Sequence, residues 1–322
     1  MRFFSATHAL NCKDESGADI SAWTIMKLPQ GTEYYYYDTN TGYNFSPYSL
    51  NDTVQGALAQ TVGQLWIPST TGYMIYNDEP PNQAQYNFSV AHAKAIWMWD
   101  NTSALVITHS IPKFPEGPGG ASSYTGLEQN AWEYGQAASC FSVPLSSLGA
   151  MMNIVNEMGP LIYDTGGEEK LKNKHLLSKT KVTSPCSIYN YGGGIMIMKD
   201  ADAEVDIWAS CVGTYFSGDV RVESWIHGET EGPYCTPDYA FDTLDIQKLK
   251  YPGGQEVVEY DDHSKWGLLE STVVCFGDLN RVVTQKTRAG AVYCWKDVSL
   301  WGTLDGMVES TNTCYRRRLR GV

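Results

Sequence analysis

The chain has 322 residues, 43% of them hydrophobic and 18% charged, enough apolar material for one large domain or two of ordinary size. Its formal net charge of −13 at pH 7 excludes a generally basic nucleic-acid-coating surface, so an anionic ligand has to be met in a local cleft. No run approaches the roughly 18 apolar residues of a membrane span, and no membrane partner is expected.

In chain order, β-branched and aromatic runs predict strands over residues 23–28, 33–38, 73–76, 94–99 and 105–108. The second of these contains the continuous run Tyr34 to Tyr37, read as a buried or half-buried strand rather than a base-stacking surface. Asn51 is a candidate cap for a helix running to Leu65, with Val54, Leu58, Val62 and Leu65 on one face. The glycine-rich stretch 117–123 predicts a mobile loop bordering the segment that carries His109. A helix over 148–158 should end at Gly159-Pro160. The second half predicts strands over 195–198, 220–225, 266–269, 273–276 and 292–295, and helices over 203–212 and 298–308. Mixed sheets flanked by helices predict an α+β fold of two lobes, residues 1–158 and 159–322.

The chemistry-bearing motif is a tripeptide step used twice, His92-Ala93-Lys94 and His263-Ser264-Lys265, each leading into an apolar strand. His109 follows His92 by 17 residues and Asn280 follows His263 by the same 17, which suggests a duplicated unit. On a strand, residues i and i+2 share a face, so each His and Lys can reach one ligand together. Two lysines aimed at the non-bridging oxygens of a phosphodiester would stabilise its transition state, one imidazole could attack phosphorus, and the other could protonate the leaving oxygen. A lone His-x-Lys is weak and a lone histidine is more often structural; the repeat raises His92, Lys94, His263 and Lys265 above that background. His8, His175 and His227 have no partner at a meaningful spacing and read as ordinary surface histidines. Asp261-Asp262 beside His263 could raise its pKa, or could be a solvated loop charge.

The residues 22–29, 76–81, 109–115, 262–266 and 275–281 together resemble the deoxyribonuclease II family, and through it the phospholipase D superfamily, over nearly the whole chain. The resemblance implies two pseudo-symmetric phospholipase D-like lobes with one active site at their interface. It implies an acid endonuclease that cuts DNA without a metal or cofactor, through a phosphohistidine intermediate, leaving 3′-phosphate ends. Its essential set maps onto His92, Lys94, His109, His263 and Lys265, with Asn280 in the superfamily's asparagine position and His109 replacing it in the first half. His92 is taken as nucleophile and His263 as acid. Arg281 and Lys113 are secondary phosphate-binding candidates, in a group of cations near the motifs that also holds Lys286 and Arg288. A silent DNA- or protein-binding relative and a zinc phosphodiesterase remain as alternatives, the latter weakened by a lysine two residues from each motif histidine.

Eight cysteines without a CxxC spacing point to disulfides and an oxidising compartment, and sequence alone allows 105 pairings. The resemblance implies Cys12–Cys140, Cys235–Cys314 and Cys275–Cys294, leaving Cys186 with Cys211. Glycosylation sequons at Asn44, Asn51, Asn87 and Asn101 fit a secreted or lysosomal protein. The N-terminus is too short and polar for a complete signal peptide and reads as a trimmed form, while Arg316 to Arg320 read as a solvated tail.

Overall fold

A computed structural model describes residues 10–83, 89–167, 184–191 and 193–314. His8, His175, the sequon at Asn87 and the tail run 316–320 lie outside the described residues.

The first half supplies β1 (Cys12–Lys13), β2 (Asp19–Ile20), β3 (Ala22–Lys27), β4 (Tyr34–Asp38), β5 (Gly42–Phe45), β6 (Gly72–Asn77), β7 (Lys94–Trp99), β8 (Ser103–His109), β9 (Gln136–Pro144) and β10 (Ile162–Gly166), with helices α1 (Ala57–Val62) and α2 (Leu148–Met158). The second half supplies β11 (Cys186–Asn190), β12 (Ile195–Lys199), β13 (Val220–Ser224), β14 (Thr243–Lys250), β15 (Glu256–Val258), β16 (Lys265–Leu269), β17 (Val273–Gly277), β18 (Gly290–Lys296) and β19 (Val308–Thr311), with α3 (Thr214–Phe216) and α4 (Val298–Met307). Apart from the small β1–β2 pair, these strands form two sheets. The first runs β10-β6-β7-β8-β9-β3-β4-β5, and the second β11-β12-β18-β17-β16-β13-β14-β15 with β19 pairing β14.

The two sheets share one connectivity. Strands β3, β6, β7, β8 and β9 lie side by side in the order 6-7-8-9-3, and β12, β13, β16, β17 and β18 lie in the matching order 13-16-17-18-12. Alternation along the strands fixes how the sheets pack. On β7, Ile96 and Met98 join α1 in an outer cluster, while Ala95, Trp97 and Trp99 face a cluster shared with Met196, Ala291 and Tyr293 of the second half. A third cluster mixes Met26, Tyr35 and Tyr37 with Trp266, Leu268 and Phe276, and Val273, Cys275 and Val292 face a fourth, outer one. The inner faces of both sheets are therefore pressed together, with α2 and α4 contributing Ile154 and Leu300 to the two inner clusters. The mixed α+β class expected from sequence is the class observed. Tyr34 to Tyr37 are all buried in β4.

Three local expectations need correction. The helix expected from Asn51 begins only at Ala57, because Asp52 Oδ1 accepts from the amides of Val54 and Gln55 at 2.8 Å and holds them in a turn. Asn51 caps nothing there; its side chain accepts from the Leu127 amide at 3.1 Å. The 203–212 helix is a 3-10 turn at Ala201–Ala203 followed by a π-helix at Trp208–Gly213. The 117–123 loop does not border the site, because Asp164 on β10 accepts from the Gly119 amide at 2.8 Å and Trp66 Nε1 donates to the Ala121 carbonyl at 2.8 Å. By contrast α2 spans Leu148–Met158 and ends at Gly159 in the left-handed conformation, φ 65°, that glycine adopts without strain.

Disulfides join Cys12–Cys140, Cys235–Cys314 and Cys275–Cys294, the three pairs that the resemblance implies, and Cys186–Cys211, the pair that remained. The sequon residues Asn44, Asn51 and Asn101 are exposed. Among the described residues no helix is long and apolar enough to cross a membrane.

Candidate active site

Lys94 opens β7 and Lys265 opens β16, equivalent strands of the two sheets. Each motif histidine is then fixed by the opposite half. The His92 amide donates to the Ala289 carbonyl at 2.9 Å, and the His263 amide donates to the Gly135 carbonyl at 2.8 Å. Ala289 and Gly135 each stand one residue before a matching strand, β18 and β9. The exchange is reciprocal, and it draws both His-x-Lys steps into one cleft of about 390 Å³. His92, Lys94, His263, Lys265 and Asn280 line that cleft with Glu79, Ser110, Pro112, Trp225, His227, Thr284 and Gln285.

Equal spacing does not make His109 the counterpart of Asn280. Extending the β7–β8 register sets His109 beside Lys94, and extending the β16–β17 register sets Gly277 beside Lys265. The hydrogen bonds agree. The Ser110 amide donates to the Ala137 carbonyl at 2.9 Å while its Oγ accepts from the Ala137 amide at 3.0 Å. Asp278 repeats this on Ala291, at 3.0 and 2.9 Å. Ser110 therefore matches Asp278, and Asn280 matches Pro112. His109 sits behind the cleft wall, its ring edge-on to Phe114 at 5.2 Å. Burial, reinforced by the Lys94 charge, pulls its pKa down to about 3.

The half-sites diverge next to the lysines. Asn77 pairs with Lys94 and Ser224 with Lys265, so the residues that follow, Asp78 and Trp225, are equivalent positions. Asp78 is fully buried and meets two cations and an imidazole: Lys94 Nζ in a short ion pair, Arg288 Nη2 at 3.0 Å and His92 Nε2 at 4.0 Å. Burial alone would raise the Asp78 pKa, but those neighbours hold it well below the usual carboxylate range. Lys265 has Trp225 where Lys94 has that carboxylate, and its ammonium donates to the His263 carbonyl instead. Burial and the nearby Lys94 charge lower its pKa to about 7.

The imidazoles are also held differently. His92 Nδ1 lies 2.5 Å from the Asp278 carbonyl, which can only accept, so Nδ1 carries the proton and Nε2 of the neutral ring keeps its lone pair. Burial is the first cause of the strongly lowered His92 pKa, with Asp78 opposing it and Lys94, Arg288 and Lys265 reinforcing it. His263 is sandwiched by rings: Tyr134 stacks on it at 4.0 Å and 11°, and Trp225 lies at 3.9 Å and 48°. Burial and the Lys265 charge pull its pKa to about 2. Asp262 does not raise it as the sequence suggested, because the Asp262 carboxylate is turned to the Ser264 amide at 2.8 Å.

Two secondary candidates are corrected by their surroundings. Arg281 is fully buried, donating from Nε to Asp206 at 3.1 Å and from Nη2 to the Gly232 carbonyl at 3.0 Å, paired with Asp245 and lying over the Tyr234 ring. Those bonds take three of its five N–H donors, and its full burial keeps the guanidinium off the cleft lining and away from a substrate phosphate. Lys113 is half-buried beyond the cleft lining, with its amide on the Glu79 carbonyl at 2.8 Å. Sequence reasoning missed Asp78, Ser110, Trp225 and Asp278, named Arg288 only as a cation near the motifs, and misplaced His227, which lines the cleft. Asp78, Ser110 and Asp278 each carried a hint, since they lie in the stretches 76–81, 109–115 and 275–281 that support the family resemblance, whereas Trp225 lies in none of them. Among the described residues, no group of three His, Cys, Asp or Glu side chains is gathered closely enough to hold a metal ion.

Two imidazoles and two lysines around one small cleft are the groups that phosphodiester hydrolysis calls for. The comparisons name the class more closely. A family profile described as Deoxyribonuclease II matches residues 11–314. A Burkholderia thailandensis protein provisionally named deoxyribonuclease-2 is 30% identical over 92% of this chain and 91% of its own length. Rat deoxyribonuclease-2-alpha is 26% identical over 95% of both chains, and Caenorhabditis elegans cell death-related nuclease 6 is 25% identical over 95% of this chain and 90% of its own. The chain belongs to the deoxyribonuclease II family, and by that membership is a DNA-hydrolysing nuclease.

Proposed function

We propose that this protein is an acid endonuclease that cleaves DNA through a covalent phosphohistidine on His92, without a divalent metal. The meeting of both His-x-Lys steps in one cleft carries the reading, and the Asp278 carbonyl supports His92 as the nucleophile, because accepting the Nδ1 proton makes Nε2 the basic nitrogen of the ring. Nε2 attacks phosphorus and the P–O5′ bond breaks, with His263 giving its proton to the departing O5′. Water then attacks the phosphohistidine, His263 takes a proton from that water, and the chain leaves with a 3′-phosphate. Lys265 faces the non-bridging oxygens with its charge uncompensated, Lys94 shares its charge with Asp78, and Asn280 orients the phosphate.

Acid operation is supported by the direction of the shifts. His263 must be protonated to act as the acid, and burial works against that until a bound phosphate supplies negative charge and the pH is low. Lys265 is charged only below about pH 7. Glu79, on the cleft rim, has its pKa raised by burial, so acid also removes a negative charge facing the substrate. The disulfides and exposed sequon asparagines support a secretory route to an acidic or extracellular compartment. The matching strand orders support two lobes, 1–158 and 159–322, although β10 (Ile162–Gly166) pairs into the first sheet.

Plasmid incubated at pH 5 and pH 7.5 with excess EDTA tests the reading. Nicking at pH 5, lost in His263→Ala, with ends that need a phosphatase before 3′ extension, is the expected result. A folded, disulfide-intact protein that cuts under no condition would make this chain a silent binder, and cleavage abolished by EDTA would overturn the metal-free mechanism.

A further inference from the structure

The duplicated site is asymmetric in one respect: where the first half-site places the carboxylate of Asp78, the second places the indole of Trp225. That indole belongs to a ladder of rings leading outward from His263. Trp225 lies 3.9 Å from His263, His227 stacks on Trp225 at 4.7 Å and 8°, and Tyr260 lies 5.4 Å beyond His227. The ladder is anchored, because Trp225 Nε1 donates to the Tyr260 carbonyl at 2.9 Å and Tyr134 closes the inner end against His263. Its outer end is open: His227 is exposed and Tyr260 is 49% exposed. Rings held in fixed register and left open to solvent at a cleft mouth offer a planar ligand a surface whose ordering is already complete.

We propose that the outer rungs, His227 and Tyr260, receive the base of the nucleotide flanking the scissile phosphate on the His263 side, turned out of its stack onto the ladder. The inference rests on the cleft being the phosphodiester site. The distances fit a single nucleotide, since two ring-to-ring steps separate His263 from His227. The first half-site, with Asp78 sealed among Lys94, Arg288 and His92, offers no such surface, so only one side of the scissile bond is read this way. Stacking tolerates every base, because each has a π-face, and the contact therefore selects for the presence of a base without selecting a sequence.

The test uses one end-labelled single-stranded oligonucleotide with a central abasic position, cut by the full-length protein at pH 5. Each strand carries its own control, because the cuts at ordinary phosphates and at the two flanking the gap come from one reaction. Wild type should cut one of the two flanking phosphates about tenfold less well, with the loss in KM rather than kcat. In His227→Ala and Tyr260→Ala that ratio should return towards one, and incomplete folding cannot mimic this, since it lowers all cuts equally. Equal cutting at both flanking phosphates by wild type, or an unchanged ratio in the variants, would overturn the base subsite while leaving the nuclease intact. No cutting at any phosphate would instead count against the nuclease reading itself.

Discussion

Lys94 and Lys265 open equivalent strands and differ in their partners, and the difference should be visible in a pH profile. Lys94 is ion-paired with Asp78, whereas Lys265 has no carboxylate in that place and loses its proton near pH 7. In Lys265→Arg the guanidinium stays charged throughout, so the alkaline decline in kcat/KM should move upward by a unit or more, although the bulkier head should lower the maximum about tenfold. An unmoved decline would assign that limb to another group. Asp78→Asn tests the other half: Lys94, Arg288 and His92 would lose their shared counter-charge, the His92 pKa would fall further, and kcat should drop by about 10- to 100-fold with little change in KM. A larger effect on KM would make Asp78 a substrate-binding group. The residues that the sequence exposed here are those in the repeated tripeptide. Those it hid, Asp78, Trp225 and Asp278, act from the ends of neighbouring strands and become neighbours only through cross-strand register.

At the scale of elements, the catalytic geometry hangs on the entry points of β9 and β18, each of which holds the histidine of the other half. Gly135 is the tighter joint. Its amide donates to the Asp261 carbonyl at 2.8 Å, its carbonyl accepts from His263, and a Cβ there would lie 2.7 Å from Asp262 Oδ1. Asp262 is buried and tied to the Ser264 amide, so it cannot swing away freely. Gly135→Ala should therefore displace His263 by a fraction of an ångström and lower kcat by roughly 100-fold, with thermal stability changed by only a few degrees. Undiminished kcat would show that this joint has slack. Elements were legible where one force set them. Strand β7 is apolar and aromatic from Ala95 to Trp99, and α2 has both its apolar face and its glycine stop. Strand β9 was missed because its central run, Ala137, Ala138 and Ser139, is small and has little strand preference by itself; its place between β8 and β3 imposes the conformation. Strand β14 was missed because Asp245, buried against Arg281, breaks the apolar alternation.

For the whole molecule, the buried titratable groups decide how stability responds to acid, and they fall into opposing sets. Burial raises the pKa of Glu223 strongly, and takes Glu259 and Asp278 to about 7. A carboxyl whose folded pKa is raised stabilises the fold fully below its unfolded value near 4, and that contribution is lost as pH climbs towards 7. Burial lowers the pKa of His92, His109 and His263, and a histidine lowered on folding contributes above about pH 6.5 and loses that contribution as pH falls. Between about pH 4.5 and 6.5 the two sets oppose each other, the raised carboxyls, Asp245 and Asp262 among them, losing stability and the imidazoles gaining it as pH rises. Below about pH 4 the balance ends, because Asp78, held ionised by Lys94 and Arg288, and the turn-capping Asp14 and Asp100 resist protonation in the fold but not in the unfolded chain. The melting temperature should therefore stay within a few degrees from pH 6.5 to 4.5 and fall steeply below 4, the profile that the proposed acid operation requires. Glu223→Gln separates the two sets. Both oxygens of the buried Glu223 carboxyl lack a hydrogen-bond partner among the described residues, so the amide should raise the melting temperature by several degrees at pH 7.5 and by little at pH 4.5. Equal shifts at both pH values would mean that Glu223 stays protonated across the range, and the acid plateau would then need another source.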